Sequence, residues 1–419
     1  MGNPVLKQPH KQTTSPKVEI NQSKNTFVSW KPVSAIFNNV VISPWNLLIG
    51  GLLISKLSFS TAIISAVLGY SLLSLIVYFY GSLGFRTRST TSVLIEPVFG
   101  TLGTRMFFSA ILALGQIGWF GVIVQIGGES LALLLGISTL SGILIYSVLM
   151  LAMASLKLHH FGFLKWLINI SAIGLITYLF YNAFDSLSLA NLLANKSSTE
   201  NILWGTSIII SSLISFVSVT PDFLSQLEQE KDLKKSIIFG LAIPGIIIVV
   251  AGIILFSNSN QLSIAALMGA TSLAVFAHIF NVITNTDAAI AIFTPAHRFS
   301  HMFNTSFKKG LLIAGAVALP LASLGIASHL EVWLAALAGF YPAIIGVTVA
   351  YYTLHHFGLK PKKIGKIDWR SVAIIMFTST LIFVVQISLL NWIVGLTAFM
   401  LYILMTGVTI NIVIGGERD

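Results

Sequence analysis

Twelve long apolar runs follow one another along this chain, and they leave little choice of fold. They lie at about residues 33–54, 60–80, 105–127, 134–154, 161–183, 203–220, 236–256, 264–288, 309–328, 331–353, 370–389 and 391–414. A helix needs about 20 apolar residues to cross the hydrocarbon core of a bilayer, whereas a barrel strand alternates polar and apolar over about ten. Runs of this length and uniformity predict an all-α membrane protein with about 12 transmembrane helices. Charge agrees: 9% of the residues are charged, against roughly 25% in a soluble domain. With a mean hydropathy of +0.88, membrane lipid has to solvate most of the exterior.

The basic residues set an expected orientation. Of the 24 Lys and Arg, all but Lys56 and Lys196 fall in the N-terminal tail, the even-numbered connections or the C-terminus. Arg86, Arg88 and Arg105 stand in one such connection, and Lys360, Lys362, Lys363, Lys366 and Arg370 in another. The positive-inside rule then puts both termini in the cytoplasm, and the net charge of +10 needs no nucleic acid to account for it. Residues 1–30 are polar, without the apolar core of a signal peptide, and are expected to form a disordered cytoplasmic tail. Residues 31–414 form a single transmembrane domain, and 415–419 a short cytoplasmic tail. With no cysteine, disulfides, thiolate metal sites and a cysteine nucleophile are excluded.

Polar residues inside the runs point to function, because lipid tolerates them only where they face protein or a wet cavity. The first run is interrupted by Ser43-Pro44-Trp45-Asn46; proline removes a backbone donor there, and transporters use such breaks to offer backbone groups to ions and substrates. A simple proline kink is the competing reading. Gly50-Gly51 is read as close helix packing. In the third run, Gln116 and Trp119 share a helix face, pairing an amide with a flat stacking surface; interhelical contact would use the same residues. Ser212, Ser215 and Phe216 stand in a serine-dense sixth run that either lines a cavity or lets helices approach. Asp222 near its end is read as a cap or ion-pair partner. His278, Asn281 and Asn285 make one polar stripe in the eighth run, with Thr284 and Asp287 beside it. Asp287 and Glu331 are the acids expected inside the spans, and Glu331 is read as merely opening its helix. The histidine pairs His159-His160 and His355-His356 are read as solvated helix ends. No phosphate loop, GxSxG, HExxH or dinucleotide fingerprint is present, so neither an enzyme nor an ATP-driven pump is expected.

These residues resemble the nucleobase–cation symporter family, and within it the bacterial cytosine permeases. The likeness runs from about residue 33 to the end. It is carried by Gly81-Ser82-Leu83-Gly84, read as a loop continuing through Thr90-Thr91, and by Gly115-Gln116-Ile117-Gly118-Trp119-Phe120-Gly121. Asp222-Phe223 and Thr284-Asn285-Thr286-Asp287-Ala288 add to it. The resemblance implies the leucine-transporter fold, two inverted five-helix repeats plus two helices, and alternating-access import of a cytosine-like or purine base with Na+ or H+. It implies no other cofactor and no obligate protein partner, and a place in the cell inner membrane. Trp119 would stack on the base and Gln116 would bond its edge, with Ser212, Ser215, Phe216, Asn281 and Asn285 around it; Ser43, Asn46, Thr284 and Asp287 would serve the coupling ion. Three departures stand out. The family's sixth-helix stacking aromatic aligns with Leu213, Phe216 lying one turn on. The paired eighth-helix hydroxyls appear as Ile283-Thr284. Asp287 replaces an asparagine, which suggests proton coupling. Another small molecule on the same fold, such as an amine or vitamin precursor, is the alternative; a channel or membrane enzyme fits less well.

Overall fold

The computed structural model describes residues 27–155, 160–183, 200–257, 262–268, 274–359, 365–385 and 395–406. Of the tail expected over 1–30, residues 1–26 lie outside the described residues, as do 184–199 between the fifth and sixth runs, His159 and the C-terminal tail; residues 27–30 are described, with Val28 bridged to Leu227 and Trp30 opening a helix. Every named element is a helix, and an isolated bridge between Val28 and Leu227 is the one strand-like pairing among the described residues.

Each apolar run holds a helix, numbered here as a span. The first is broken into Trp30–Val41 and Pro44–Lys56, bent by 55°. The second to fifth are Phe59–Thr87, Thr101–Leu135, Thr139–Ala154 and His160–Ala183. The sixth, Ile202–Val217, breaks at Ser218–Val219 and resumes as Thr220–Leu224. The seventh to twelfth are Glu230–Phe256, Ala274–Met302, Phe307–Ser323, Ile326–His356, Trp369–Val385 and Gly395–Thr406. Among the described residues, five helices are long and apolar enough to cross a membrane, and six if the bent first pair is one span. The others fall short of that measure over their described residues.

Several boundaries differ from the expectation, for one reason. Hydropathy ends a run where polar residues begin, but the backbone stays helical through them because neighbouring helices satisfy those side chains. The eighth span starts at Ala274, after a separate short helix Ile264–Leu267, and continues to Met302. Its polar stripe is therefore mid-helix. The third span runs on to Leu135 and takes Glu129 into the bundle, so Asp287 and Glu331 are not the only acids within spans. Gly81-Ser82-Leu83-Gly84 is not a loop: it is helical, and a Cβ on Gly84 would lie 2.7 Å from Pro221 Cβ of the sixth span.

The packing repeats. The second span lies along the sixth as the seventh lies along the first, and the fourth lies on the third as the ninth lies on the eighth. Glycines permit both close approaches. A Cβ on Gly50 would sit 2.3 Å from the Val249 carbonyl oxygen, and one on Gly252 2.3 Å from that of Leu47. Between the second and sixth spans, a Cβ on Gly69 would sit 2.5 Å from Ile209 Cβ, and one on Gly205 2.5 Å from Ser65 Oγ. Small residues at helix contacts are what packing in lipid demands, since no hydrophobic effect draws helices together there. The second span shows the consequence: Ala62, Ser65, Ala66 and Gly69 face inward, while Ile64, Leu68, Leu72, Leu75 and Phe79 are exposed.

Candidate functional site at the broken first span

The first span breaks because Ser43 is extended (φ −138°, ψ 148°) and Pro44 opens the second half-helix, a position where its missing N–H costs nothing. The last carbonyls of the first half-helix would then be orphaned. Asn46 answers this: its Nδ2 donates to the Val41 carbonyl at 2.7 Å and to that of Val40 at 3.3 Å. Trp45 projects from the same turn onto Trp119 of the third span, with ring centroids 4.4 Å apart and planes inclined by 42°. Both indoles are buried. Trp119 Nε1 donates to Ser215 Oγ of the sixth span at 3.1 Å. The sequence reading singled out Trp119 and gave Trp45 no role, although its place inside the Ser-Pro-Trp-Asn break was the available signal.

From the other side, the eighth span narrows to a 3-10 turn at Asn285–Asp287. Ser43 Oγ donates to Asp287 Oδ2 at 3.5 Å, joining this turn to the first-span break. The stripe above it is a hydrogen-bonded chain. Asn281 Nδ2 donates to the Ile126 carbonyl at 3.1 Å and to Ser130 Oγ at 2.8 Å. Ser130 Oγ lies 3.1 Å from His278 Nδ1. Asn285 Nδ2 donates to Asn281 Oδ1 at 2.9 Å and to its carbonyl at 2.8 Å. Tyr146 of the fourth span braces the turn by donating to the Val282 carbonyl at 2.6 Å. Ser130 and Tyr146 are further residues that sequence reasoning missed; neither stands in a polar pattern of its own run.

The structure joins Ser43 of the first-span break to Asp287 of the eighth span, and Trp119 of the third span to Trp45 of the first and Ser215 of the sixth; Asn46 turns to the carbonyls of its own span, and Asn285 to Asn281 and toward Gly127 of the third. The other expected residues are placed differently. Asn281 is fully engaged within the protein. Thr284 Oγ1 donates to the Phe280 carbonyl and Ser212 Oγ to that of Ile209, each at its own helix. Phe216 packs edge-on against Phe37 (5.2 Å) and stacks with Phe223 (6.1 Å). Leu213 is buried, and the ring that meets Trp119 is that of Trp45. Gln116 is half-buried one turn below Trp119.

Two residues away from the junction also take defined roles. Asp222 Oδ1 accepts the Thr91 N–H at 2.6 Å, capping the connecting helix Thr91–Phe99 as expected of it. Glu331 does more than open its helix: Lys56 Nζ lies 2.6 Å from Oε2, and Trp204 Nε1 donates to Oε1 at 3.3 Å. That cluster ties the first, sixth and tenth spans at the end of the bundle away from the N-terminus. Among the described residues, no group of three His, Cys, Asp or Glu could hold a metal ion.

No protein-family model and no curated protein matches the chain. Solved structures do. Mhp1, a nucleobase-cation-symport-1 family transporter, in a closed conformation with bromovinylhydantoin bound, superposes with TM-score 0.71 at 16% identity, over 91% of this chain and 92% of that one. Inward-facing Mhp1 gives TM-score 0.75 at 16% identity, over 92% and 93%. A Na+-coupled sialic acid symporter in a substrate-bound outward-open state gives 0.60 at 14%, over 92% and 91%. A manganese transporter of Eremococcus coleocola gives 0.56 at 13%, over 91% and 94%. The chain is thus a multi-pass membrane protein with the leucine-transporter fold of these solved transporters, two five-helix repeats that each open on a broken helix.

Proposed function

We propose that this protein is a secondary active transporter that imports a nucleobase, a cytosine-like pyrimidine or a purine, together with Na+ or H+ by alternating access. The observation that carries the reading is the Trp45–Trp119 pair standing beside the first-span break. The two indoles touch, so the pair offers an outer indole face to a planar heterocycle, and base–aromatic stacking contributes about 1–3 kcal/mol. Asp287 supports cation coupling, because a carboxylate held within a helical bundle calls for a proton or a counter-ion. Its contact with Ser43 links the two mobile halves of such a fold. Coupling to protons through Asp287 is the favoured version. The distribution of Lys and Arg supports cytoplasmic termini and residence in the inner membrane, with 31–414 as one transporter domain between two tails.

A carboxylate in place of a neutral amide also favours a second reading, a symporter of an amine or vitamin precursor. Uptake of labelled cytosine into proteoliposomes tests both, under an imposed Na+ gradient and separately an imposed proton gradient, with bases, amines and thiamine-type precursors as competitors. Gradient-driven uptake blocked by unlabelled bases is expected. Competition by amines alone would replace the nucleobase reading with the second.

A further inference from the structure

We propose that the side-chain amide of Asn46 takes the place that a metal ion would hold at the broken first span, so that transport is coupled without Na+. This rests on the symporter reading above and narrows its coupling ion.

Broken helices in transporters offer Na+ the carbonyls at the C-terminal end of a half-helix, where the helix dipole is negative. In this protein those carbonyls are already met. The Ile42 N–H donates to the Asn38 carbonyl at 2.7 Å, and the Asn46 backbone N–H to that of Ser43 at 3.0 Å. The Val40 and Val41 carbonyls both turn to one atom, Asn46 Nδ2, at 3.3 and 2.7 Å. An ion held by these two oxygens would need the point where they converge, and the amide nitrogen stands there. Two carbonyls also fix which end of the amide faces them, because a flipped side chain would set oxygen against two oxygens. Asn46 is fully buried, so water does not compete for the place.

The eighth span, joined to the break by the Ser43–Asp287 contact, repeats the pattern. Its 3-10 turn at Asn285–Asp287 interrupts the helical ladder, and side chains cover four consecutive carbonyls before it. Thr284 Oγ1 donates to Phe280 at 2.8 Å and Asn285 Nδ2 to Asn281 at 2.8 Å. Tyr146 Oη donates to Val282 at 2.6 Å and Thr286 Oγ1 to Ile283 at 2.6 Å. Both spans thus meet their loosened backbone with N–H and O–H groups of the protein, and the residues present do not fit a carbonyl cage for Na+. A proton needs no such cage, only a group such as the Asp287 carboxylate.

The test is thermal unfolding of the purified protein, wild type and Asn46→Ala, titrated with Na+ against N-methyl-D-glucamine at constant chloride. The wild type should keep one Tm throughout. Asn46→Ala should start lower, and Na+ should raise its Tm saturably by about 2 °C or more, because the Val40 and Val41 carbonyls are then open to the ion. A saturable rise in the wild type would overturn the proposal, and its loss in Asn46→Ala would make Asn46 a Na+ ligand instead. An Asn46→Ala protein with the same lowered Tm in both salts would reduce Asn46 to a helix cap and overturn its role in ion choice. Should that variant not fold, Asn46→Asp has nearly the same shape and sets a carboxylate oxygen against the two carbonyls. It should be recovered folded in Na+ and not in N-methyl-D-glucamine, and recovery in neither or equally in both would count against the proposal. None of these readings needs a transported base, so failure of the nucleobase reading is told apart from failure of this one. Where a labelled base is taken up, proton-driven uptake by the wild type should persist without Na+, and uptake driven by a Na+ gradient alone would overturn the proposal.

Discussion

The first and sixth spans occupy equivalent places in the two repeats and both are broken, the first at its middle and the sixth five residues before its end, yet their polar residues are used in opposite ways. At the first-span break, Asn46 spends its nitrogen on backbone carbonyls and no donor among the described residues reaches Asn46 Oδ1, while Ser43 reaches across to Asp287. At the sixth, Ser211, Ser212, Ser218 and Thr220 all donate to carbonyls of the same span, and Phe216 is held between Phe37 and Phe223. A hydroxyl that bonds to its own helix has no hydrogen left to offer a ligand. A broken helix therefore does not make a binding site by itself; what matters is whether its side chains leave unmet groups at the break. In this protein the first and eighth spans do so, and the sixth supplies packing and the Ser215 oxygen that holds Trp119.

The comparison breaks most directly at Asp287. Asp287→Asn keeps the shape and the Ser43 contact but removes the ionisable group. Gradient-driven uptake is expected to fall at least about 100-fold, equivalent to ~2.7 kcal/mol, while binding of the base, read by thermal stabilisation, persists. Uptake with unchanged dependence on external pH would remove proton coupling through this residue. The next largest contrast sets Trp119 against Phe216. Trp119→Ala should raise the apparent KM by roughly tenfold or more, from the loss of about 1–3 kcal/mol of stacking. Phe216→Ala should instead lower thermal stability, by about 3–5 kcal/mol for a buried aromatic, and leave KM nearly unchanged. If the two variants exchanged effects, Phe216 of the sixth span and not Trp119 would be the stacking residue of the site.

Much of this arrangement was legible in the residues, and its limits have physical causes. Twelve apolar runs fixed the helices, because lipid leaves the backbone no other partner. The first break was legible because Pro44 forces it. The sixth was not: Ser218 and Val219 carry no such constraint, and Pro221 comes only after the chain has turned. Among site residues, Trp119 and Asp287 stood out as an aromatic in a polar context and a charge in lipid. Asn281 was read as a ligand-binding residue because a polar stripe shows which residues share a face, not which atoms are already occupied. Ser130 and the Ile126 carbonyl, which settle that question, belong to another span and leave no trace in the eighth. Glu331 looked like a helix-opening residue for the same reason, since Lys56 and Trp204 lie far from it in sequence.

The scaffold of the two repeats offers a smaller effect, and it separates packing from chemistry. A Cβ on Gly50 meets backbone of the seventh span, the Val249 oxygen at 2.3 Å, whereas one on Gly81 meets the end of a flexible side chain, Leu224 Cδ1 at 2.2 Å. Leu224 can turn to another rotamer; the Val249 carbonyl cannot move without shifting its helix. Gly50→Ala is therefore expected to cost about 1–3 kcal/mol, seen as a lower thermal midpoint, and Gly81→Ala less than about 1 kcal/mol. Neither should alter which bases compete for uptake, because neither touches Trp119 or Asp287.

The smallest effect is expected at the far end of the bundle. Lys56 and Glu331 pair at 2.6 Å, but their side chains are 34% and 40% exposed. Ion pairs open to water contribute about 0.2–1 kcal/mol, so Glu331→Gln should barely change the thermal midpoint. The first, sixth and tenth spans all meet at this pair, however, with Trp204 also donating to Glu331. In an alternating-access cycle these spans separate, and a weak contact that must be broken and remade affects populations more than stability. Glu331→Gln keeps a group for Trp204 and loses the charge facing Lys56. It should shift the balance toward the state open at that end, by at most about fivefold, seen as faster labelling of a single cysteine introduced at Leu52 by a water-soluble reagent. Unchanged labelling would make the pair a surface contact without a part in the cycle, and the contrast between the two breaks would then rest on the junction alone.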